Sequence, residues 1–195
     1  MNDPARLAAA IELLGEIAEA GRPADAVVSA FFRARRYIGS KDRAAIGETV
    51  FAVLRARARL LWHLERASKA PAPRALMIAF LVLARGEGAR LRSLFTGERF
   101  APARLDPSEE IFVEHLGHGP LAPPDMPEAV RLEVPPWAED GLRAAFGPDF
   151  PAEAAALLEP APLDLRVNPL KTDREGAIAA LAAAGIRARP GRWSP

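Results

Sequence analysis

Residues 163–189 read LDLRVNPLKTDREGAIAALAAAGIRAR, and this stretch decides the class of fold. Apolar and polar side chains alternate over its first five residues, which is the period of a strand with one buried face. Pro169 ends that strand, because proline cannot donate to a sheet ladder. A helix follows, with Thr172 or Asp173 as its cap and Gly185 at its C-terminal end. A second strand is expected after Gly185, so the stretch predicts the β-α-β opening of an α+β subdomain.

Only six residues follow this stretch. A strand without neighbours is not stable, since about three strands or a packed layer of helix are needed for independent stability. We therefore expect further strands beyond Pro195 in the natural polypeptide, and we interpret the chain as one cut inside its second domain.

The composition is that of a globular protein without disulfides. Half of the 195 residues are apolar, which is enough for a substantial core. The absence of cysteine excludes thiolate nucleophiles and cysteine-bound zinc, and it is consistent with a reducing compartment. The longest apolar run, residues 75–84, is too short to span a membrane, so it is predicted to be the buried central helix of a bundle. Because the N-terminus is also unlike a signal peptide, the predicted location is cytoplasmic.

The small net charge of +1 conceals a strong polarisation along the chain. Residues 33–74 contain eleven Lys and Arg against three acids, whereas residues 101–162 contain three Arg against twelve acids. Residues 163–195 return to six basic residues against three acidic ones. Such segregation favours the binding of a polyanion such as nucleic acid. The alternative, a solvated helix surface, fits the same pattern.

The first 100 residues show the apolar spacing that is typical of packed helices. One helix is expected over about residues 4–20, and Pro23 opens a second helix with a basic end. A long helix is expected over about residues 41–67, with Ser40 as its cap and an arginine-rich side. Arg57 falls among its apolar positions, so we expect Arg57 to reach solvent along its aliphatic stem or to meet a buried acid.

Residues 101–160 differ in character from the bundle. Eight of the nineteen prolines lie within residues 101–136, so long regular structure is not expected there, apart from a short helix over 108–116. Two more helices are expected over residues 137–146 and 152–159. This acidic segment is interpreted as a connector that is either wrapped around the bundle or loosely ordered.

No motif for catalysis is present. The sequence has no glycine-rich nucleotide loop, no nucleophile elbow and no zinc-protease motif. Glu110, Glu114, His115 and His118 have spacings that could bring metal ligands to one face, but Gly117 interrupts the helix and a solvated acidic surface is the preferred interpretation. We predict neither a catalytic residue nor a metal site in this chain.

Two segments carry a resemblance to known families. Residues 37–43, YIGSKDR, followed by residues 50–55, VFAVLR, resemble the D-R-x-x-hydrophobic…G-V-L-R pattern of NusB-like helical RNA-binding domains, with Ala52 in place of the glycine. Residues 162–171, PLDLRVNPLK, resemble the L-R-V-N-x-L-K segment that opens the RNA-recognition-like subdomain of Sun-type, RsmB-like RNA cytosine-5 methyltransferases. Residues 136–147 are similar to the helix that precedes that segment in the same family.

The resemblance implies a mainly α fold, with a NusB-like helical bundle, a helical connector and the first β-α-β piece of an incomplete α+β subdomain. Their expected boundaries are residues 1–100, 101–160 and 161–195. A Rossmann-type catalytic domain that uses S-adenosylmethionine is implied for the full-length protein. The family's catalytic cysteines and cofactor-binding acids have no matching positions here, so no catalytic or cofactor-binding residue is carried over. In this interpretation the chain positions small-subunit rRNA for its own missing C-terminal catalytic domain.

Cationic and polar side chains on the bundle and on the second domain are the candidates for contact with RNA, because arginine can clamp phosphate through two hydrogen bonds. The predicted RNA-binding residues are Arg33, Arg35, Arg36, Lys41, Arg43, Arg55, Arg59, Arg166, Asn168 and Lys171. Arg43 has a second interpretation, as a brace for the start of its helix, because it lies near the apolar face.

Two other functions fit the same residues. One is a stand-alone NusB-like adaptor that binds RNA or transcription factors and has no enzyme attached; a stop codon directly after Pro195 would favour it. The other is a helical protein–protein interaction module whose acidic connector binds a basic partner. Absence of RNA binding at low salt would favour that module.

Overall fold

The computed structural model describes residues 1–117, 119–159, 161 and 163–191, and the regular elements of these residues are helices. The mainly α fold class is thereby confirmed. The chain divides into two units, residues 1–158 and 159–195. The first unit contains the bundle together with most of the connector, and the described residues of the second contain one helix.

Five helices build the bundle, and most of their bounds follow the predictions. They are α1 (Asp3–Glu19), α2 (Ala24–Ala34), α3 (Ser40–Arg55), α4 (Arg57–Arg66) and α5 (Pro73–Leu83). The side chain of Asn2 caps α1 by accepting a hydrogen bond from the Ala5 amide at 3.0 Å. Gly39 rather than Ser40 occupies the N-cap position of α3.

Helix α5 is the centre of the bundle. Residues 76–82 are buried without interruption, as expected for a helix that is surrounded by others. Helices α1 and α4 pack against α5, and α1 also packs against α2 and α3. The prediction of a buried central helix is therefore confirmed.

The prediction of one long helix over residues 41–67 is wrong. The helix breaks at Ala56, whose φ and ψ are −107° and 13°, and α4 starts at Arg57. The amides of Ala58 and Arg59 donate to the carboxylate of Glu133 instead of to carbonyls one turn earlier. Arg57 lies exposed at the start of α4, so of the two environments predicted for it the structure shows solvent.

Short helices follow α5. Helix α6 (Leu91–Leu94) still lies within residues 1–100, and the connector contains α7 (Pro107–Leu116), α8 (Glu128–Arg131), α9 (Pro136–Phe146) and α10 (Phe150–Leu158). Helix α7 begins with a capping box between Asp106 and Glu109, and it packs against α5. Phe112 and Leu116 of α7 join the bundle core and α8 packs against α4, so this part of the connector lies on the bundle. Helices α9 and α10 pack against each other in a separate small core that includes Phe150 and Ala154.

Hydrogen bonds and an ion pair connect the connector to the bundle. Arg74 of α5 donates two hydrogen bonds to the Glu109 carboxylate, at 2.6 and 2.9 Å. Nε2 of His63 lies 3.0 Å from the carbonyl oxygen of Leu121. A bidentate arginine–carboxylate pair fixes geometry as well as adding energy, so α7 is held in one orientation on α5.

The second unit contains α11 (Arg174–Ala183), which confirms the predicted helix. The carboxylate of Asp173 caps it by accepting from the Gly176 amide at 2.7 Å. Gly185 follows the C-terminal end with φ of +77°, a conformation that side chains disfavour.

The prediction of strands on either side of α11 is wrong for the described residues. Residues 163–168 and 186–190 are assigned no strand, and the described backbone shows no ladder of hydrogen bonds between them. Alternation of apolar residues is not sufficient, because a strand exists only when a neighbouring strand satisfies its amides and carbonyls. Leu163 and Leu165 consequently lie exposed.

Among the described residues, no helix combines the length and the apolar character that are needed to cross a bilayer.

The environment of His63 makes the stability of the first unit dependent on pH. Burial lowers the pKa of His63 below its ordinary value of 6.5, and the positive charge of Arg66 lowers it further. The unfolded chain therefore binds more protons than the folded chain as the pH falls below about 6.5, so the free energy of unfolding should decrease there. The measurement is urea unfolding of the wild type and of His63→Gln between pH 8 and pH 5. As the pH falls, the free energy of unfolding of the wild type should decrease more than that of His63→Gln.

His115→Gln is the control for this experiment, because His115 is also a histidine but lies exposed. Parallel pH profiles of wild type and His63→Gln would contradict the assigned role of His63.

Candidate nucleic-acid interface

The first group of predicted RNA-binding residues lies at the turn between α2 and α3, which we call the α2–α3 corner and define as residues 33–41. The guanidinium of Arg43 braces this corner from within. Its Nε donates to the carbonyl oxygen of Ile38 at 2.7 Å, and one terminal nitrogen donates to that of Arg36 at 3.4 Å. Of the two interpretations of Arg43, the structure shows the brace, and contact of Arg43 with RNA stays a prediction.

Arg35 also has partners inside the protein. It donates to Glu12 at 2.6 Å and to Glu16 at 3.0 Å, and its guanidinium lies 3.7 Å from the centre of the Phe31 ring. These contacts tie the end of α2 to α1. Substitution of Arg35 would therefore alter the bundle itself, and its RNA contact stays a prediction.

Three cations of the corner face solvent without internal partners. Arg33, Arg36 and Lys41 are exposed, and in the part of the chain that the structure describes their side chains form no ion pair. The neighbouring Asp42 already has cationic partners inside the protein. It accepts hydrogen bonds from the amino group of Met1 at 2.9 Å and from Nε of Arg6 at 2.7 Å.

Hydrogen bonds from the Met1 amine and from Arg6 lower the pKa of Asp42, so this carboxylate stays ionised and matched with internal cations. The corner therefore presents unmatched positive charge.

The second group lies at the opposite end of α3, where α4 begins. Helix α3 has 16 residues, so about 24 Å separates this junction from the α2–α3 corner. Arg55 is exposed at the junction, and in the described chain no acid pairs with its side chain. Arg59 is engaged, since its Nε donates to Glu133 at 2.8 Å and one terminal nitrogen donates to the carbonyl of Arg55 at 3.3 Å.

Glu133 closes the break between α3 and α4. Its two oxygens accept from the Ala58 and Arg59 amides at 2.7 and 3.1 Å, where the start of α4 carries unsatisfied donors and a partial positive charge. The Arg59 and Glu133 side chains are only 19% and 11% exposed, so the pair is shielded from water more than a surface ion pair is. A role of Arg59 in RNA binding stays a prediction, and its guanidinium already has acceptors inside the protein.

The connector supplies acids to the arginines of the basic segment. Asp125 lies 3.7 Å from Arg66, in addition to the pairs Glu109–Arg74 and Glu133–Arg59. The polarisation of charge along the sequence is thus partly explained by complementarity inside the first unit. The signal was present in the sequence, as adjacent segments of opposite charge, but which acid meets which arginine depends on the fold.

The third group belongs to the second unit. The Asn168 side chain accepts from the Leu170 amide at 3.0 Å, and its carbonyl accepts from the Lys171 and Thr172 amides. Asn168 therefore shapes the turn before α11, as asparagine often does. Arg166 and Lys171 are exposed and have no ion-pair partner among the described residues. Their contact with RNA stays a prediction.

Sequence analysis missed Tyr37 as a candidate site residue. Its side chain is 79% exposed at the α2–α3 corner, beside Arg36 and the buried Ile38. The available signal was a lone aromatic residue within a basic cluster, since the chain has one tyrosine.

The chemistry of these surfaces is that of anion binding. Guanidinium and ammonium groups without internal acids can bind phosphate oxygens, and several such contacts give affinity that decreases with salt. Within the described residues no group of three His, Cys, Asp or Glu is placed to hold a metal ion. His118, one of the residues considered as a ligand, lies outside the described residues.

Comparison with known proteins adds one family. Residues 134–195, about a third of the chain, match the family model described as the ferredoxin-like domain of RsmF/B-like methyltransferases. The match includes α9, α10 and α11. The match agrees with the resemblance of residues 162–171 to Sun-type, RsmB-like methyltransferases. A search of curated proteins and a search of solved structures gave no match.

The contacts of Glu133 predict a measurable contribution to stability. In Glu133→Ala two amides at the start of α4 and the Arg59 guanidinium lose their acceptor, so the free energy of unfolding should fall by roughly 1–3 kcal/mol. Glu133→Gln, which keeps one acceptor oxygen, should lose less. Urea unfolding monitored by circular dichroism measures both.

Glu110→Ala is the matched control, because Glu110 forms an exposed pair with Arg92 and should contribute less than about 1 kcal/mol. Equal effects of Glu133→Ala and Glu110→Ala would show that the Glu133 contacts do not stabilise the break.

Proposed function

We propose that this chain is the RNA-binding N-terminal region of an S-adenosylmethionine-dependent rRNA (cytosine-C5)-methyltransferase. The match of residues 134–195 to a methyltransferase domain carries the enzyme part of the proposal. The unmatched cations of the α2–α3 corner support the RNA part. The proposed partner is small-subunit rRNA, and the proposed location is the cytoplasm.

The α2–α3 corner is the preferred docking surface because its cations are available without loss of internal contacts. Arg59 and Arg35 would have to leave Glu133 and Glu12 to reach phosphate. Arg33, Arg36 and Lys41 give up only water, and association with a polyanion releases the counterions condensed on it. The corner therefore contributes affinity at a low energetic cost.

Methyl transfer itself is not assigned to these residues. The chain has no cysteine to form a covalent adduct with cytosine, and it has no glycine-rich loop for the cofactor. The residues of this chain therefore do not fit an S-adenosylmethionine site. The proposed role of the chain is to bind and position the substrate RNA, while a separate domain of the full-length protein performs the chemistry.

The triple variant Arg33→Glu, Arg36→Glu, Lys41→Glu tests the corner. It should bind small-subunit rRNA more weakly. The slope of log K against log salt concentration is negative and should become less steep by about 2, since each lost phosphate contact on a single strand removes about 0.7 from its magnitude. Filter binding over a salt series measures both quantities. Urea unfolding should be nearly unchanged, because the three side chains have no ion-pair partner in the described structure.

The control has the same change in net charge. It is the triple variant Arg22→Glu, Arg131→Glu, Arg187→Glu, whose residues are exposed elsewhere on the chain. The proposal for the corner fails if both triple variants bind rRNA equally.

The enzyme part is tested on the full-length gene product. The reading frame after the codon for Pro195 should encode cysteines and a glycine-rich cofactor loop. In that protein the Arg33, Arg36, Lys41 triple variant should raise KM for unmodified small-subunit rRNA while kcat stays nearly constant, because the corner binds RNA away from the reacting base. Transfer of a radiolabelled methyl group measures both constants. A stop codon directly after Pro195 would instead support the stand-alone adaptor.

A further inference from the structure

We propose that Tyr37 stacks against an unpaired base of the bound RNA, so that the α2–α3 corner selects single-stranded RNA over duplex. This inference rests on the proposed function, because it requires RNA at the corner. It adds the structural class of the RNA and a residue that recognises it.

Tyr37 differs from the other aromatic residues of its segment. Phe31 and Phe32 are buried in the bundle core, and the next residue, Ile38, is buried as well. The Tyr37 ring points to solvent, and among the described residues it contacts no other ring and no cation. An aromatic face that the protein leaves uncovered is available to a planar ligand.

The backbone under Tyr37 is held at several points. The Ile38 amide donates to the Arg35 carbonyl at 3.0 Å, and Arg43 donates to the carbonyls of Arg36 and Ile38. The residues on both sides of Tyr37 are therefore fixed before a ligand arrives. Such preorganisation reduces the entropy that binding would otherwise cost.

The charge around the ring indicates which ligand fits. Three cations lie near Tyr37 in the sequence, namely Arg33, Arg36 and Lys41. The nearest acid in the sequence, Asp42, accepts hydrogen bonds from the Met1 amine and from Arg6. An aromatic platform beside cations that bind phosphate is typical of proteins that bind single strands. In an RNA duplex the bases are stacked on each other and paired, whereas bases of loops and bulges can lie on a protein ring.

A protein partner would contact the Tyr37 ring in a different way from an RNA base. For a protein partner with an acidic surface, Tyr37 would contribute mainly through buried apolar area, and leucine could replace much of that. Stacking on a base requires a flat ring, so phenylalanine should replace tyrosine and leucine should not. The identity of the residue at position 37 therefore distinguishes the two.

The experiment compares two RNAs, an unstructured 12-nucleotide single strand and the blunt duplex of the same sequence. Fluorescence anisotropy with the whole 195-residue chain gives their affinities over a salt series. Tyr37→Ala should bind the single strand about 5- to 150-fold more weakly, as expected for the loss of one base–aromatic stack. Its salt slope should equal that of the wild type, because no phosphate contact is removed.

The matched variants separate stacking from other effects. Tyr37→Phe should bind the single strand within about twofold of the wild type, whereas Tyr37→Leu should be nearly as weak as Tyr37→Ala. Duplex affinity should be similar in all four proteins. Because the ring is exposed, urea unfolding should also be similar, and this comparison checks that the variants fold.

Two results would overturn the stacking of Tyr37. One is single-strand affinity of Tyr37→Leu equal to that of the wild type, and the other is an equal loss of duplex and single-strand affinity in Tyr37→Ala. If instead the single strand depends on the ring at position 37 but not on the charges of Arg33, Arg36 and Lys41, the inference stands and the electrostatic part of the proposed function fails. If neither RNA binds at low salt, both fail.

Discussion

The pairing of connector carboxylates with arginines of the bundle is the interaction on which the arrangement of this surface depends. Glu133 caps α4 and binds Arg59, and Glu109 clamps Arg74. Each of these contacts provides a charged acceptor for donors that are largely shielded from water. The same contacts withdraw arginines from solvent, so the fold of the connector decides which cations are left without an internal acid.

Three of the cations that remain accessible lie together at the α2–α3 corner. Arg43 and Arg35 build the corner, and Arg33, Arg36 and Lys41 project from it. A basic segment can thus contain two kinds of arginine. One kind forms hydrogen bonds and ion pairs between helices, and the other kind faces solvent. The distinction matters for function because substitution of the first kind alters the protein itself, while substitution of the second kind alters what it binds.

Much of the helical architecture was predictable from the sequence, but the break at Ala56 and the state of residues 163–168 were not. Helix α5 was evident because its apolar run has no polar face, and α11 was evident from Asp173 and Gly185 at its ends. The apolar periodicity of the sequence continues through residue 56 and gives no sign of the break. The acceptor that replaces the helical carbonyls, Glu133, lies more than 70 residues away along the chain. Local alternation at residues 163–167 likewise predicted a strand without supplying a partner for it.

By itself the sequence determined where most helices form, which of them is central, that the chain has no cysteine and which segments carry net positive charge. It also contained the resemblance that the family match supports. Only the tertiary structure decided which cations are matched, that Arg43 is a brace and that Tyr37 is exposed. The physical reason is that helix formation depends on neighbours within a few residues, whereas exposure and ion pairing depend on side chains brought together from distant parts of the chain.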